Sequence, residues 1–361
     1  MGIYIWAWIY LTLFLFKWKL KESQKRILYL IGTFAIYIYI WGFRSVSVGT
    51  DTASYIKYFE LYEQHSIKEL LLGKLWFKQM EPAFIIMSKF IMNIVRDEYI
   101  CLQVIGWIYT IMLINLLFKF KGMQLYWFGF AYYGLYLLCS GLNIMRQAIA
   151  ILLLIYAFLA FRNNEKKKML FFSVLACMIH YGAIAPIGIM FIFLIENNNA
   201  NVLKMKRLLV IFGTIVGCFF FEYVLKAVGL GGYLGGENGD IAFLKLLVLI
   251  FIYLIYIFRN KINTNINQRL KNEIEFMETI LILSIIMNIM GAFSNVFIRF
   301  TSFLIPYSCI AVTELVEKDG NKVRRNKLLL VGIYFLIMFF FFHSLINNIG
   351  GIVPFTNTWE T

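Results

Sequence analysis

The sequence predicts an all-α, polytopic integral membrane bundle of about ten full crossings plus two partial or broken elements. Three observations carry that prediction. Hydrophobic residues fill 61% of 361 positions and charged residues only 15%, which is more apolar surface than one soluble core can bury. Apolar runs near membrane-spanning length recur from end to end. The basic residues behind the net charge of +14 mostly cluster between those runs, where lysines set orientation and meet anionic lipid. That placement excludes nucleic acid as the expected partner, because a nucleic-acid binder gathers its cations on one continuous face.

The elements follow in chain order. Segment 3–18 opens without a basic n-region and shows no small-residue cleavage pattern before the lysines of 17–26, so it reads as a first spanning helix and not a signal peptide. Further spans are expected at 27–43, 99–118, 123–139, 147–161, 208–226, 241–258, 276–297, 300–316 and 328–343. Two apolar stretches fit less well. Segment 83–95 is short for a crossing, and 169–195 is long for one helix and holds His180, Gly182 and Pro186.

Basic clusters decide between topologies. Clusters 17–26, 259–271 and 318–327 belong on the cytoplasmic side, which puts both termini and loop 44–80 outside. Treating 83–95 and 169–195 as ordinary crossings would place Lys119, Lys121 and the RNNEKKK run at 162–168 outside, against the positive-inside rule. Treating both as broken or re-entrant returns every large basic cluster to the cytoplasm, and irregular backbone at membrane depth is tolerated where it lines a cavity. The expected organisation is therefore one transmembrane domain over 1–361, without internal repeats, carrying an extracytoplasmic loop 44–80 with an interfacial amphipathic helix.

In this topology the outer side collects Arg44, Asp51, Glu81, Arg146, Arg299, the glycine-rich loop 229–240 and the tail NNIGGIVPFTNTW. Arg44 ends a span and reads either as a snorkelling helix-end arginine or as a substrate contact. Asp51 precedes a segment whose Tyr55, Phe59 and Tyr62 share one helical face, expected at the lipid interface; the acid is either a helix N-cap or a group that engages a sugar. Arg146 leads straight into a purely apolar run, with Asn143, Gln147 and Ala150 on its face. An arginine there needs an anion, either a diphosphate held bidentately or an ion pair with Glu81 or Asp51. Ser284, Asn288, Asn295 and Arg299 are spaced as a polar stripe on the 276–297 helix, which must face protein or water. His180 stands at an expected helix break and reads as a hydrogen-bonded structural residue or as a cavity residue.

Other chemistry is unsupported. Cys101, Cys139, Cys177, Cys218 and Cys309 lie in or at the ends of apolar runs without CxxC, and read as small core residues. No metal site is expected. The glycine-rich loop lacks GK[ST] and does not fit GxGxxG, and neither HExxH nor GxSxG occurs.

The ordered set RSVSVGTDTASYIKYF, EPAF, LNIMRQAIAILLL, MIHYGAIAPI, FIRFTSFLIPY and GIVPFTNTW resembles the EpsG family, the Wzy-like polymerases of exopolysaccharide, capsule and O-antigen clusters, over 44–359. The resemblance implies a multi-pass glycosyltransferase of the bacterial inner membrane, related to the GT-C superfamily, that joins oligosaccharide repeat units carried on undecaprenyl diphosphate at the outer face. It implies Asp51, Glu81 and His180 as catalytic candidates and Arg44, Tyr55, Arg146, Gln147 and Arg299 as substrate-binding candidates, to which the polar stripe adds Asn295. The tail departs from the pattern in reading VPF where Tyr more often follows Pro. A chain-length regulator and a flippase of the same pathway are implied partners alongside membrane lipid. A divalent cation is compatible with diphosphate chemistry, yet no residue pattern demands one, and a sugar on a diphosphate needs no ATP. Two other classes fit some residues: a flippase of lipid-linked oligosaccharide would also want intramembrane arginines, and a membrane sugar O-acetyltransferase would use His180.

Overall fold

The protein is described here from a computed structural model, which covers residues 1–16, 19–72, 80–195, 199–227, 243–262, 268–316 and 323–357. The glycine-rich loop 229–240, the end of the tail at 358–361 and part of the basic cluster 318–327 lie outside the described residues. The described residues form helices and no strand. Five of the helices, Glu98–Leu117, Met145–Arg162, Phe243–Asn260, Val296–Glu314 and Leu328–Ile346, are long and apolar enough to cross a membrane. Apolar side chains such as Trp6, Ile31, Phe90, Phe212 and Phe339 stand exposed, as lipid-facing residues do. The chain divides into two compact units: one formed by Met1–Ala157, Leu170–Ala183 and Phe341–Thr361, the other by Phe158–Met169 and Ile184–Phe340.

The first unit begins with α1 (Gly2–Leu13) and α2 (Glu22–Gly42), followed by α3 (Thr52–Gln64), α4 (Ile67–Leu72), α5 (Pro82–Val95) and α6 (Glu98–Leu117). α2 and α6 lie together at two glycines. A Cβ on Gly106 would stand 2.5 Å from the Trp41 carbonyl oxygen, and Trp41 stacks on Tyr109 at 4.0 Å between ring centroids. Small residues let membrane helices approach this closely, so dispersion contacts replace the hydrophobic drive that lipid removes. α6 starts where Asp97 accepts the Ile100 N–H at 2.8 Å. α5 begins with Pro82 at its first turn and ends at Arg96 in the left-handed region. Its 14 residues rise roughly 21 Å, short of a hydrocarbon core of about 30 Å.

The aromatic face of α3 differs from its sequence reading. Tyr55, Phe59 and Tyr62 do share one face, but all are buried, and α3 packs on α5 and α6, with Phe84 5.9 Å from the Tyr55 ring. That face meets protein, not lipid.

α7 (Met123–Tyr132) runs into a π-helix, Tyr133–Gly141, where one continuous span was expected. Wide helical turns of this kind displace the chain that follows, here the segment that leads into α8 (Met145–Arg162). α9 (Lys166–Ile179) then ends at His180, and a 3-10 turn at Tyr181–Ala183 separates it from α10 (Ile184–Leu194), the break expected within 169–195.

The second unit contains α10 and continues with α11 (Ala200–Ala227), α12 (Phe243–Ile262), α13 (Gln268–Met290), α14 (Asn295–Glu314) and most of α15 (Val323–Ile346). Phe158, Phe276 and Tyr307 pack ring to ring at 5.3 to 5.6 Å. Nearby, Arg162 pairs with Glu273 at 2.8 Å and Glu314 at 3.2 Å, and Arg259 lies 4.0 Å from Glu314, so two cations balance these two largely buried carboxylates. The expected 276–297 helix is corrected. α13 ends at Met290, Ser294 accepts the Val296 N–H at 3.3 Å, and a new helix starts at Asn295. Gly291 makes that turn possible, since a Cβ there would meet Ile298 Cγ1 at 2.6 Å. Ser284 and Asn288 thus sit on α13, while Asn295 and Arg299 sit on α14.

Two glycine substitutions test this packing with opposite signs. Gly106→Ala forces a methyl against the Trp41 carbonyl and should destabilise the detergent-solubilised protein by about 1–3 kcal/mol. Gly188→Ala, in α10 with nothing within 4 Å of its Cβ, should leave the thermal midpoint unchanged or raise it. Equal midpoints would refute the close approach of α2 and α6.

Candidate active site

The site grows from the loop between α2 and α3. Arg44 leaves α2 and forms an isolated antiparallel bridge with Asn357 near the end of the chain. The Ser45 N–H donates to Thr356 O at 2.9 Å, Gly49 N–H to Gly351 O at 2.9 Å and Thr50 N–H to Gly350 O at 3.3 Å. Gly49 at φ +90° and Gly351 at φ +66° hold backbone that a side chain would strain, and Cβ atoms there would press on Leu142 O and on Thr50. The first and last sequence motifs therefore form one local structure.

A second contact ties this loop to the start of α8. Asn143 Oδ1 accepts both the Asp51 N–H and the Thr50 hydroxyl, each at 2.9 Å. Fully buried Arg44 donates from one terminal nitrogen to Leu142 O and lies 5.1 Å from the Trp41 ring, while its Nε and other terminal nitrogen have no acceptor. Leu142 and Asn143 form the turn that follows the π-helix, and this turn presents both groups to the Asp51 loop.

Tyr55 and Arg146 then meet. The buried Tyr55 hydroxyl lies within hydrogen-bonding reach of the Arg146 guanidinium and of its main-chain N–H, one of the donors a helix start leaves without an internal partner. Arg146 also forms an ion pair with Glu81, which stands immediately before α5. The other Glu81 oxygen accepts the Tyr181 N–H at 3.3 Å and lies 3.4 Å from His180 Nδ1. That nitrogen also lies 3.1 Å from the Gly182 N–H, so it can donate to Glu81 or accept from Gly182, and the protonation state of His180 selects between them. Tyr62, with its hydroxyl unpartnered, lies within electrostatic reach of Arg146 and Glu81. Tyr55 is within such reach of Asp51, Arg44 and Arg146. Gln147 is buried beside Arg146 on α8.

The structure thus brings together Arg44, Asp51, Tyr55, Glu81, Arg146, Gln147 and His180 in the first unit, whereas Asn295 and Arg299 lie on α14 of the second. Sequence reasoning passed over Asn143 as a site residue. Its signal was an amide side chain just before a helix start, beside a loop rich in N–H donors. The two acids differ chemically: both Glu81 oxygens are engaged, whereas among the described residues the Asp51 carboxylate receives the Thr50 hydroxyl alone, at a long 3.5 Å. Among the described residues no group of three or more His, Cys, Asp or Glu is placed to hold a metal.

A helical membrane protein that buries Arg44 and Glu81 and half-buries Asp51, Arg146 and His180 at helix ends and breaks belongs to the class of helical membrane proteins with a polar site among their helices. The chain belongs to the EpsG family, whose model matches residues 26–357, and this is a family of Wzy-like polymerases. Membership points to a polysaccharide polymerase of glycosyltransferase type. No curated protein and no solved structure matches the chain.

The ion pair is testable by a double-mutant cycle. Glu81→Ala alone should cost about 3–5 kcal/mol, because it leaves a buried guanidinium uncompensated. Adding Arg146→Met should recover part of that loss in thermal unfolding. Strictly additive losses would show that the two side chains do not interact.

Proposed function

We propose that the protein polymerises oligosaccharide repeat units carried on undecaprenyl diphosphate into surface polysaccharide, at the outer face of the bacterial cytoplasmic membrane. The observation that carries this reading is the Asp51, Tyr55, Arg146, Glu81 and His180 cluster, in which one acid is neutralised by an arginine and the other is not.

The reaction joins an acceptor hydroxyl of one repeat unit to the anomeric carbon of another, and lipid diphosphate leaves. It needs a base for the hydroxyl proton and a cation for the departing charge. Asp51 is the base, since its carboxylate has lone pairs without strong donors. Glu81 holds Arg146 in place. Arg146 is the clamp: Glu81 and Tyr55 take some of its donors, and its buried Nε has no acceptor, so a phosphate oxygen can supply one. Arg44 adds positive charge beside Tyr55 and fixes Leu142. His180 steadies Glu81 when its Nδ1 carries the proton and donates to the carboxylate. Gln147, Asn295 and Arg299 are proposed as further substrate contacts. Chain-length regulators and flippases of the same pathway are the proposed partners.

Asp51→Asn should abolish polymer and leave single repeat units on the lipid carrier, with the protein retained in the membrane. Arg146→Lys should also lose most activity, because one ammonium cannot replace a guanidinium shared by Glu81, Tyr55 and phosphate. Wild-type polymer length in both variants would refute these roles. Loss of all surface units would indicate a flippase, and normal length without acetyl groups an acetyltransferase.

A further inference from the structure

We infer that the C-terminal segment 350–357, together with Asn143, is the positioning element that keeps the Asp51 carboxylate from being used as a helix cap. The inference rests on the proposed role of Asp51 as base.

An aspartate directly before a helix ordinarily adopts extended backbone, and its side chain accepts an N–H from the first turn. Asp51 occupies that position before α3 yet makes no side-chain cap hydrogen bond, and its backbone is helical, at φ −91° and ψ −10°. The hydrogen bonds around it explain the departure. The N–H groups of Gly49 and Thr50 are held by the tail carbonyls of Gly351 and Gly350, and that of Asp51 by Asn143 Oδ1. The N–H groups of Ser54 and Tyr55 donate to the Asp51 carbonyl at 3.1 Å. The Thr50 hydroxyl, one other donor near the carboxylate, sits closer to Asn143 at 2.9 Å than to Asp51 at 3.5 Å.

The helical backbone that these bonds hold at Asp51, with the Ser54 N–H spent on its carbonyl, turns the carboxylate away from capping and leaves it available to accept a proton. Extended backbone at Asp51 would require moving its N–H off Asn143 and the two preceding residues off the tail. The tail is itself pinned. Thr356 Oγ1 lies 2.6 Å from Ser47 Oγ and 2.9 Å from Ser45 Oγ, and the Tyr4 hydroxyl donates to Ile352 O at 3.0 Å. Asn348 adds two bonds that fold the tail back, donating to Val353 O at 2.8 Å and accepting the Val353 N–H at 2.7 Å.

The test uses full-length protein in detergent, with hydrogen exchange read by mass spectrometry on peptides covering 45–52. Polymer formation is followed on lipid-linked repeat units extracted from the host. Thr356→Val removes the hydroxyl contacts, Thr356→Ser retains them, and Gly351→Val strains the left-handed turn against Thr50. The valine variants should speed exchange of the 49–51 amides about tenfold while leaving peptides of α2 unchanged. They should lower kcat on the order of tenfold to a hundredfold with little change in KM, the cost of a misplaced catalytic group. Thr356→Ser should behave as wild type in both measurements. Unchanged exchange in Thr356→Val overturns the inference, and so does faster exchange with a wild-type kcat. Failure of the underlying reading shows differently, as full polymer from Asp51→Asn with the tail intact.

Discussion

A guanidinium at the mouth of an apolar helix has to be neutralised, and that constraint organises the first unit. Arg146 sits in the first turn of α8, and a charge so placed costs a few kcal/mol unless an anion and hydrogen-bond acceptors come with it. Glu81 supplies the anion and Tyr55 the acceptor. Each brings its own element, because Glu81 begins α5 and Tyr55 lies one turn into α3. The helix break at His180 is held to the same carboxylate through the Tyr181 N–H. Four separate stretches of chain converge because one charge would otherwise be unpaid for.

Around that pair the loop and tail add a second layer. Their bonds are mostly main chain to main chain, so they fix where Asp51 stands without occupying its side chain. Asp51 and Arg146 each lie within electrostatic reach of Tyr55 without pairing with each other, an arrangement that the proposed glycosyl transfer can use, with the base left free and a cation in position for the leaving charge.

How much of this was legible depended on the kind of information each feature carries. Apolar runs and lysine clusters marked the helices, and the short 83–95 segment and the break near His180 were visible as departures from spanning length. The anomaly of Arg146 and its possible pairing with Glu81 could be read directly, because an intramembrane charge demands a partner. Helix period showed that Tyr55, Phe59 and Tyr62 share a face, but period does not say whether a face meets lipid or protein, and this one met α5 and α6. The stripe from Ser284 to Arg299 failed because the spacing ran across a turn that Gly291 and the Ser294 cap create. The contacts that Asn143 and the tail make with the Asp51 loop stayed hidden for a different reason. Their contacts bridge Asp51 to residues 92 positions away and Gly49 to Gly351, and no local pattern records main-chain hydrogen bonds over such distances.

The central claim is the proposed one, that the cluster of Asp51, Tyr55, Arg146 and Glu81 meets the lipid diphosphate and its sugars. Photo-crosslinking from benzoylphenylalanine at Tyr58, a half-buried ring 6.5 Å from Tyr62, tests it in membranes of a host making radiolabelled lipid-linked repeat units. The account predicts a labelled adduct at position 58 that competing undecaprenyl diphosphate removes, and none at the exposed Phe212. Equal labelling at both positions, or none at position 58, would contradict it.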